Sequence, residues 1–168
     1  SGSTARNISP FQRGDMPPTL LPEVPDLAVL GDLFQRRTEV EVQLRRAIIL
    51  YLGMTVAWDQ PKLAKKIIDG LPKRGDRKDP AALFVGREAR QVINDLYMLD
   101  LKAIIIHHWD LFTPLFGKNL PRFEMMMDTV NTARRVDAHA KNVSKEEIDN
   151  FNSSYTWVLA RLSNLPSV

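Results

Sequence analysis

The sequence predicts an all-α fold: a helical bundle of four principal helices with short accessory ones. Three observations lead there. Apolar residues recur at helical spacing over long windows. Asp, Ser and Pro stand where such windows open, and Gly or Pro where they close. No stretch alternates apolar and polar residues as a half-buried strand would. The 168 residues bound one domain large enough for a real core, and 44% hydrophobic with 26% charged residues is a folded rather than a disordered composition.

Residues 1–30 hold Pro10, Pro17, Pro18, Pro22 and Pro25, a density that forbids a continuous helix. Leu20, Leu21, Val24, Leu27, Val29 and Leu30 are interleaved with them. This segment is expected to be an extended arm lying on a surface, its own domain's in preference to a partner's, since so many exposed leucines would be adhesive. Ser1-Gly2-Ser3 reads as a cloning remnant, and the chain as one domain of a larger parent protein.

The helical domain is expected over 31–168. Residues 32–58 form its clearest helix, with Asp32 as cap and a broad stripe through Leu33, Val40, Leu44, Ala47, Ile48, Tyr51 and Leu52. So wide a stripe requires helices on both sides. Residues 61–69 form a short helix opened by Pro61 and stopped by Gly70. Then Leu71-Pro-Lys-Arg-Gly-Asp-Arg-Lys-Asp-Pro80 is a loop. From 62 to 79 there are seven Lys or Arg against three Asp. Lys73, Arg74, Arg77 and Lys78, with Lys141 further on, are therefore candidate contacts for RNA phosphates. A soluble loop is the plainer alternative, because the net charge is only +3.

Asp79-Pro80 opens the next helical region, with Leu83, Phe84, Val92, Ile93 and Leu96 inward and Gly86 a break. Asp100 suits an N-cap for 101–109, and Pro114 and Gly117 end that element. Pro121 fits the first turn of a helix over 121–138, with Phe123, Met126, Met127, Val130 and Ala133 on one side. Met125, Met126 and Met127 read as core and gap filling. Ser144 and Glu147 make a capping box for a last helix striped by Ile148, Phe151, Tyr155, Val158, Leu159 and Leu162.

Several chemistries are set aside at once. Cys is absent, which removes disulfides and thiolate metal sites. His107 and His108 are adjacent and diverge, so they do not form a helical metal pair, and no metal or cofactor is expected. No apolar run approaches about 18 residues, so nothing is expected to span a membrane. No signal peptide is evident, and an intracellular location, cytoplasmic or nuclear, is the natural expectation.

The chemistry that remains is concentrated in Asn131-Thr-Ala-Arg134-Arg135-Val-Asp137-Ala-His139. Histidine exchanges protons near neutral pH, and arginine holds a phosphate or the charge developing on one. Arg134 and His139 are five residues apart, which separates them by roughly 140° on an ideal helix. They converge only if the helix ends near His139 or if a second copy supplies the partner. The plainer alternative is a helix C-terminus carrying cations that suit its dipole.

Arg134-x-x-x-x-His139 at the end of the penultimate long helix resembles the signature of the HEPN superfamily (higher eukaryotes and prokaryotes nucleotide-binding domain). The block from Asp100-Leu-Lys-Ala-Ile-Ile-Ile-His-His-Trp109 to Phe116-Gly117 is similar to that of HEPN domains accompanying PIN-type RNA endonucleases and bacterial defence proteins. Together these cover about residues 32–163. One position departs: many active members carry a small polar residue after the motif arginine, where this chain has Arg135.

The resemblance implies a homodimer whose two motifs meet across a cleft, and metal-independent endoribonuclease chemistry in which the ribose 2′-hydroxyl attacks the neighbouring phosphate. Arg134 and His139 would be catalytic, with Arg135, Asp137, Thr132 and Asn131 as supporting residues. The alternative is a non-catalytic dimerisation or RNA-binding module of a larger RNA-processing or defence protein. A nucleotidyl-transfer role, known for another branch, ranks third. The RNA substrate, its base preference and the role of the arm are not legible.

Overall fold

The computed structural model describes residues 20–22, 24–138 and 142–166. Among these, the chain is all-helical and contains no strand. Seven α-helices follow one another: α1 (Leu27–Thr55), α2 (Gln60–Gly70), α3 (Ala89–Ile93), α4 (Met98–His107), α5 (Trp109–Phe116), α6 (Leu120–Ala138) and α7 (Lys145–Leu162). A 3-10 turn at Pro80–Phe84 precedes α3.

Helix α1 is the element the others pack around, touching α2, α4, α6 and α7. Its Val40, Leu44, Ala47, Ile48 and Leu52 are wholly shielded from water. Each fully buried side chain of this kind contributes about 1.5–3 kcal/mol over leaving it exposed. The helix starts at Leu27, four residues before the expected domain start at 31. Asp26 rather than Asp32 caps it, its carboxylate accepting the N–H groups of Ala28 (3.0 Å) and Val29 (3.2 Å). Asp32 instead pairs with Arg36 on an exposed turn. Leucines 27 and 30, expected in the arm, thus belong to α1, and Leu30 is buried.

The C-terminus of α1 is unusual. Ala57 (φ 49°) and Trp58 (φ 63°) are both left-handed, and the Trp58 N–H donates to the Gly53 carbonyl at 2.9 Å. This folds the Trp58 benzo ring onto Gly53, where a Cβ would collide with it. Asp59 then caps α2 through the Lys62 N–H (2.9 Å), and α2 ends at Gly70. That glycine lies against α4 so closely that a Cβ would come within 2.8 Å of Ile104 Cα.

Between Pro80 and Phe116 the structure is more broken than the periodicity implies. The region opening at Pro80 is the 3-10 turn and the five-residue α3, separated by Gly86 (φ 69°). The element expected over 101–109 is α4, which begins at Met98. Tyr97 occupies its N-cap position, and Asp100 is the third helical residue. The helix stops at His107, and a new helix, α5, begins at Trp109 with Pro114 in its last turn.

Helices α6 and α7 form an antiparallel hairpin. Trp157, late in α7, lies beside Phe116 and beneath Arg122 at the start of α6. Phe151, early in α7, shares a groove with Thr129 and Thr132 late in α6. Trp109, Phe116 and Phe123 are clustered with ring centroids 4.7–6.4 Å apart, so the tryptophan-phenylalanine block fastens the start of α6 to α5 and α7. The Ser144–Glu147 capping box is present in full: the Ser144 oxygen accepts the Glu147 N–H (3.1 Å), and the Glu147 carboxylate accepts the Ser144 N–H (2.9 Å). Of the three adjacent methionines, Met127 is buried, Met126 half-buried and Met125 exposed.

Candidate functional site

Helix α6 carries the motif. Phe123, Met127, Val130 and Ala133 are wholly buried and fix the helix against the bundle. Asn119 accepts the Arg122 N–H (3.1 Å) beside Pro121, which sets the helix start. The helix persists through Ala138, so Arg134, Arg135 and Asp137 all lie in its last two turns. At 100° per residue, positions 134 and 137 follow the register of Val130 and Ala133, while position 135 follows that of Asn131. His139 and Lys141 lie outside the described residues.

Thr132 is exposed and Asn131 half-buried. Thr132 lines the groove of about 430 Å³ between α6 and α7, together with Met126, Thr129, Asn150 and Ser153. The Thr129 and Thr132 hydroxyls, both in the groove lining, donate back to the Met125 (3.0 Å) and Asp128 (2.8 Å) carbonyls and keep their oxygens as acceptors.

The basic loop is organised by a buried acid. Arg74 and Arg77 exchange backbone hydrogen bonds (3.1 and 2.9 Å), closing a tight turn. Both guanidinium groups then converge on Asp100, which is wholly buried. Arg77 donates twice, at 2.9 and 3.2 Å; Arg74 donates to Oδ1; and the Tyr97 N–H completes the set at 3.1 Å. The structure therefore turns Arg74 and Arg77 inward, while Lys73 and Lys78 remain exposed. Two residues beyond Asp100, Lys102 reaches Asp128 on α6 at 2.7 Å. A run of paired charges thus leads from the loop, across the first turns of α4, to within two turns of Arg134.

His107 and His108 are separated from that run. Their rings meet edge to face with centroids 4.7 Å apart. The His108 Nε2–H donates to the Lys66 carbonyl (2.8 Å), tying the α4–α5 junction to α2. Burial pushes the His108 pKa below its usual 6.5, against the opposing pull of that hydrogen bond. Among the described residues no three acidic, histidine or cysteine side chains gather as a metal site would require. None of the described helices is long and apolar enough to cross a membrane.

Sequence reasoning missed two features. Asp100 resembled an ordinary cap because its arginine partners are 23 and 26 residues away. Trp58 carried no periodic signal, yet it stands half-exposed beside Arg45, Arg46 and Arg90 in a groove of about 470 Å³. Comparison with known proteins finds no matching family model, no matching curated protein and no matching solved structure.

Proposed function

We propose that this chain is a HEPN-like domain that cleaves RNA without a metal, at a composite site formed where the α6 ends of two copies meet. The observation that carries the reading is the persistence of α6 as a helix through Ala138. The Arg134 position thus stands in the last two turns of α6, directly before His139 in the chain, and the reading takes the partnering motif from a second copy. The helical bundle, the α6–α7 groove and the charge run ending near Arg134 support it.

In this reading His139 takes the proton from a ribose 2′-hydroxyl as the oxygen attacks the adjacent phosphorus. Arg134 binds the phosphate oxygens and stabilises the charge that builds on them. The bond from phosphorus to the 5′-oxygen breaks, and that oxygen leaves with a proton from the second copy's histidine. The products are a 2′,3′-cyclic phosphate and a 5′-hydroxyl. DNA, without a 2′-hydroxyl, is left intact. Arg135 and Asp137 serve substrate grip and imidazole orientation, Thr132 and Asn131 line the cleft, and Lys73, Lys78 and Lys141 attract the strand.

The test is incubation of the chain with labelled single-stranded RNA in EDTA, beside Arg134→Ala and His139→Ala. Cleavage that persists in EDTA and disappears in both variants, with helicity intact, is expected. Cleavage equal in all three proteins sinks the reading. The second reading is a non-catalytic dimerisation or RNA-binding module, favoured by Arg135 at a position where small polar residues accompany activity. It predicts a folded dimer that leaves RNA whole.

A further inference from the structure

The groove at the end of α1 lies apart from the α6 motif, and its construction is specific. Its apolar floor includes Ile49 and Ile93, and among the described residues no carboxylate lines it. Trp58 forms one wall with 48% of its surface open. The indole is not a loosely held surface ring. Two consecutive left-handed residues and the Trp58–Gly53 hydrogen bond direct it, and Gly53 provides the only kind of backbone that admits it so closely. Arg45 is fixed in the wall by the Leu96 carbonyl (3.1 Å) and Glu41 (3.3 Å). Arg46 and Arg90 are exposed, and each directs a donor to a neighbour on its own segment, Gln43 (3.1 Å) and Glu88 (2.7 Å) respectively. Each guanidinium has five N–H donors, so others remain for an incoming anion.

From this geometry we infer that the Trp58 groove is a binding site for single-stranded nucleic acid, in which a base stacks on the indole while Arg46 and Arg90 hold the flanking phosphates. A planar, half-open, pre-positioned ring bracketed by guanidinium groups matches the face of a nucleobase and its backbone charge. An acidic peptide would use the cations, but only a base carries a stacking ring at every unit beside its backbone charge. The site needs no 2′-hydroxyl and does not rest on the cleavage reading.

The experiment is fluorescence anisotropy of a labelled 2′-O-methyl tetranucleotide, which is not a substrate for 2′-hydroxyl attack, titrated with the whole chain. Binding is expected, weakened about tenfold or more by Trp58→Ala. Because that change also uncovers Gly53, Arg46→Glu and Arg90→Glu, on exposed side chains, are the companion variants, with helicity checked by circular dichroism. They weaken binding, and Arg46→Ala with Arg90→Ala flattens the salt dependence by about 0.7 for each phosphate no longer neutralised. Binding by the parent chain is expected whether or not RNA is cleaved in EDTA, so the cleavage reading can fail without this one. Absence of binding by the parent chain overturns the proposal, as does binding that Trp58→Ala and Arg46→Glu both leave unchanged. A labelled acidic peptide that binds in the oligonucleotide's stead, and is released in the same variants, makes the groove a protein-docking site and also overturns it.

Discussion

Replacing Asp100 with alanine removes the acceptor on which the basic loop converges. In the native protein this carboxylate is wholly shielded and receives Arg74, both terminal nitrogens of Arg77 and the Tyr97 N–H. Alanine leaves the Arg77 guanidinium, only 13% exposed, without its charge partner. Removing one member of a buried pair typically costs about 3–5 kcal/mol. The Arg74 side chain is 36% exposed and recovers water, so its share is discounted and the lower end, ~3 kcal/mol, is expected. With a urea m-value of about 2 kcal/mol/M, the unfolding midpoint falls by roughly 1.5 M at unchanged slope. The assay is equilibrium urea unfolding followed by circular dichroism. Arg77→Ala in the Asp100→Ala background should then cost much less than in the parent, since the two residues act together. A loss below about 0.5 kcal/mol, or strict additivity in the double variant, would refute the reasoning that one buried acid organises the loop.

Three further outcomes follow from the packing. Gly70→Ala drives a methyl into Ile104 of α4, and a loss of about 1–3 kcal/mol in the same urea assay is expected. Ser144→Ala removes one half of the capping box and should lower stability by about 1 kcal/mol, with early exchange of the first α7 amides in hydrogen-exchange measurements. His108 has a folded pKa below its unfolded 6.5, so the unfolded chain binds its proton first as pH falls. Its contribution is full above about pH 6.5 and is lost as pH falls through the lowered folded value; His108→Gln should flatten that part of a stability-against-pH curve.

The long, periodic elements were legible because burial and periodicity coincide in them. Leu44, Ala47, Ile48 and Leu52 of α1 and Phe151, Tyr155, Val158 and Leu162 of α7 could be assigned inward from spacing, and both sets are buried. The α7 start was legible because its two capping residues are three apart in sequence. Other boundaries misled for local reasons. Asp26 and Asp32 are equally good caps on paper, and the prolines at 22 and 25 obscured a helix beginning at Leu27. The break at His108 carries neither Gly nor Pro, so nothing in the pattern marks it. At the candidate site, the motif positions on α6 follow from periodicity, whereas the inward turn of Arg74 and Arg77 depends on a partner in a different helix. Charge counts describe a loop's composition; they carry no information about which of its cations already have an acid.

The placement of the three tryptophans has a spectroscopic consequence. Trp109 and Trp157 belong to the phenylalanine cluster between α5, α6 and α7, and Trp157 is flanked by Arg122 and Arg161 at 5.5 and 5.3 Å from its ring. Trp58 stands at the far end of α1 with half its surface in water. Intrinsic emission therefore has two sources of different character: a half-buried pair reporting the α6–α7 hairpin, and a more exposed, more quencher-accessible indole reporting the end of α1. Acrylamide separates the two signals without a label, so loosening of the hairpin and rearrangement around Trp58 can be followed in a single cuvette.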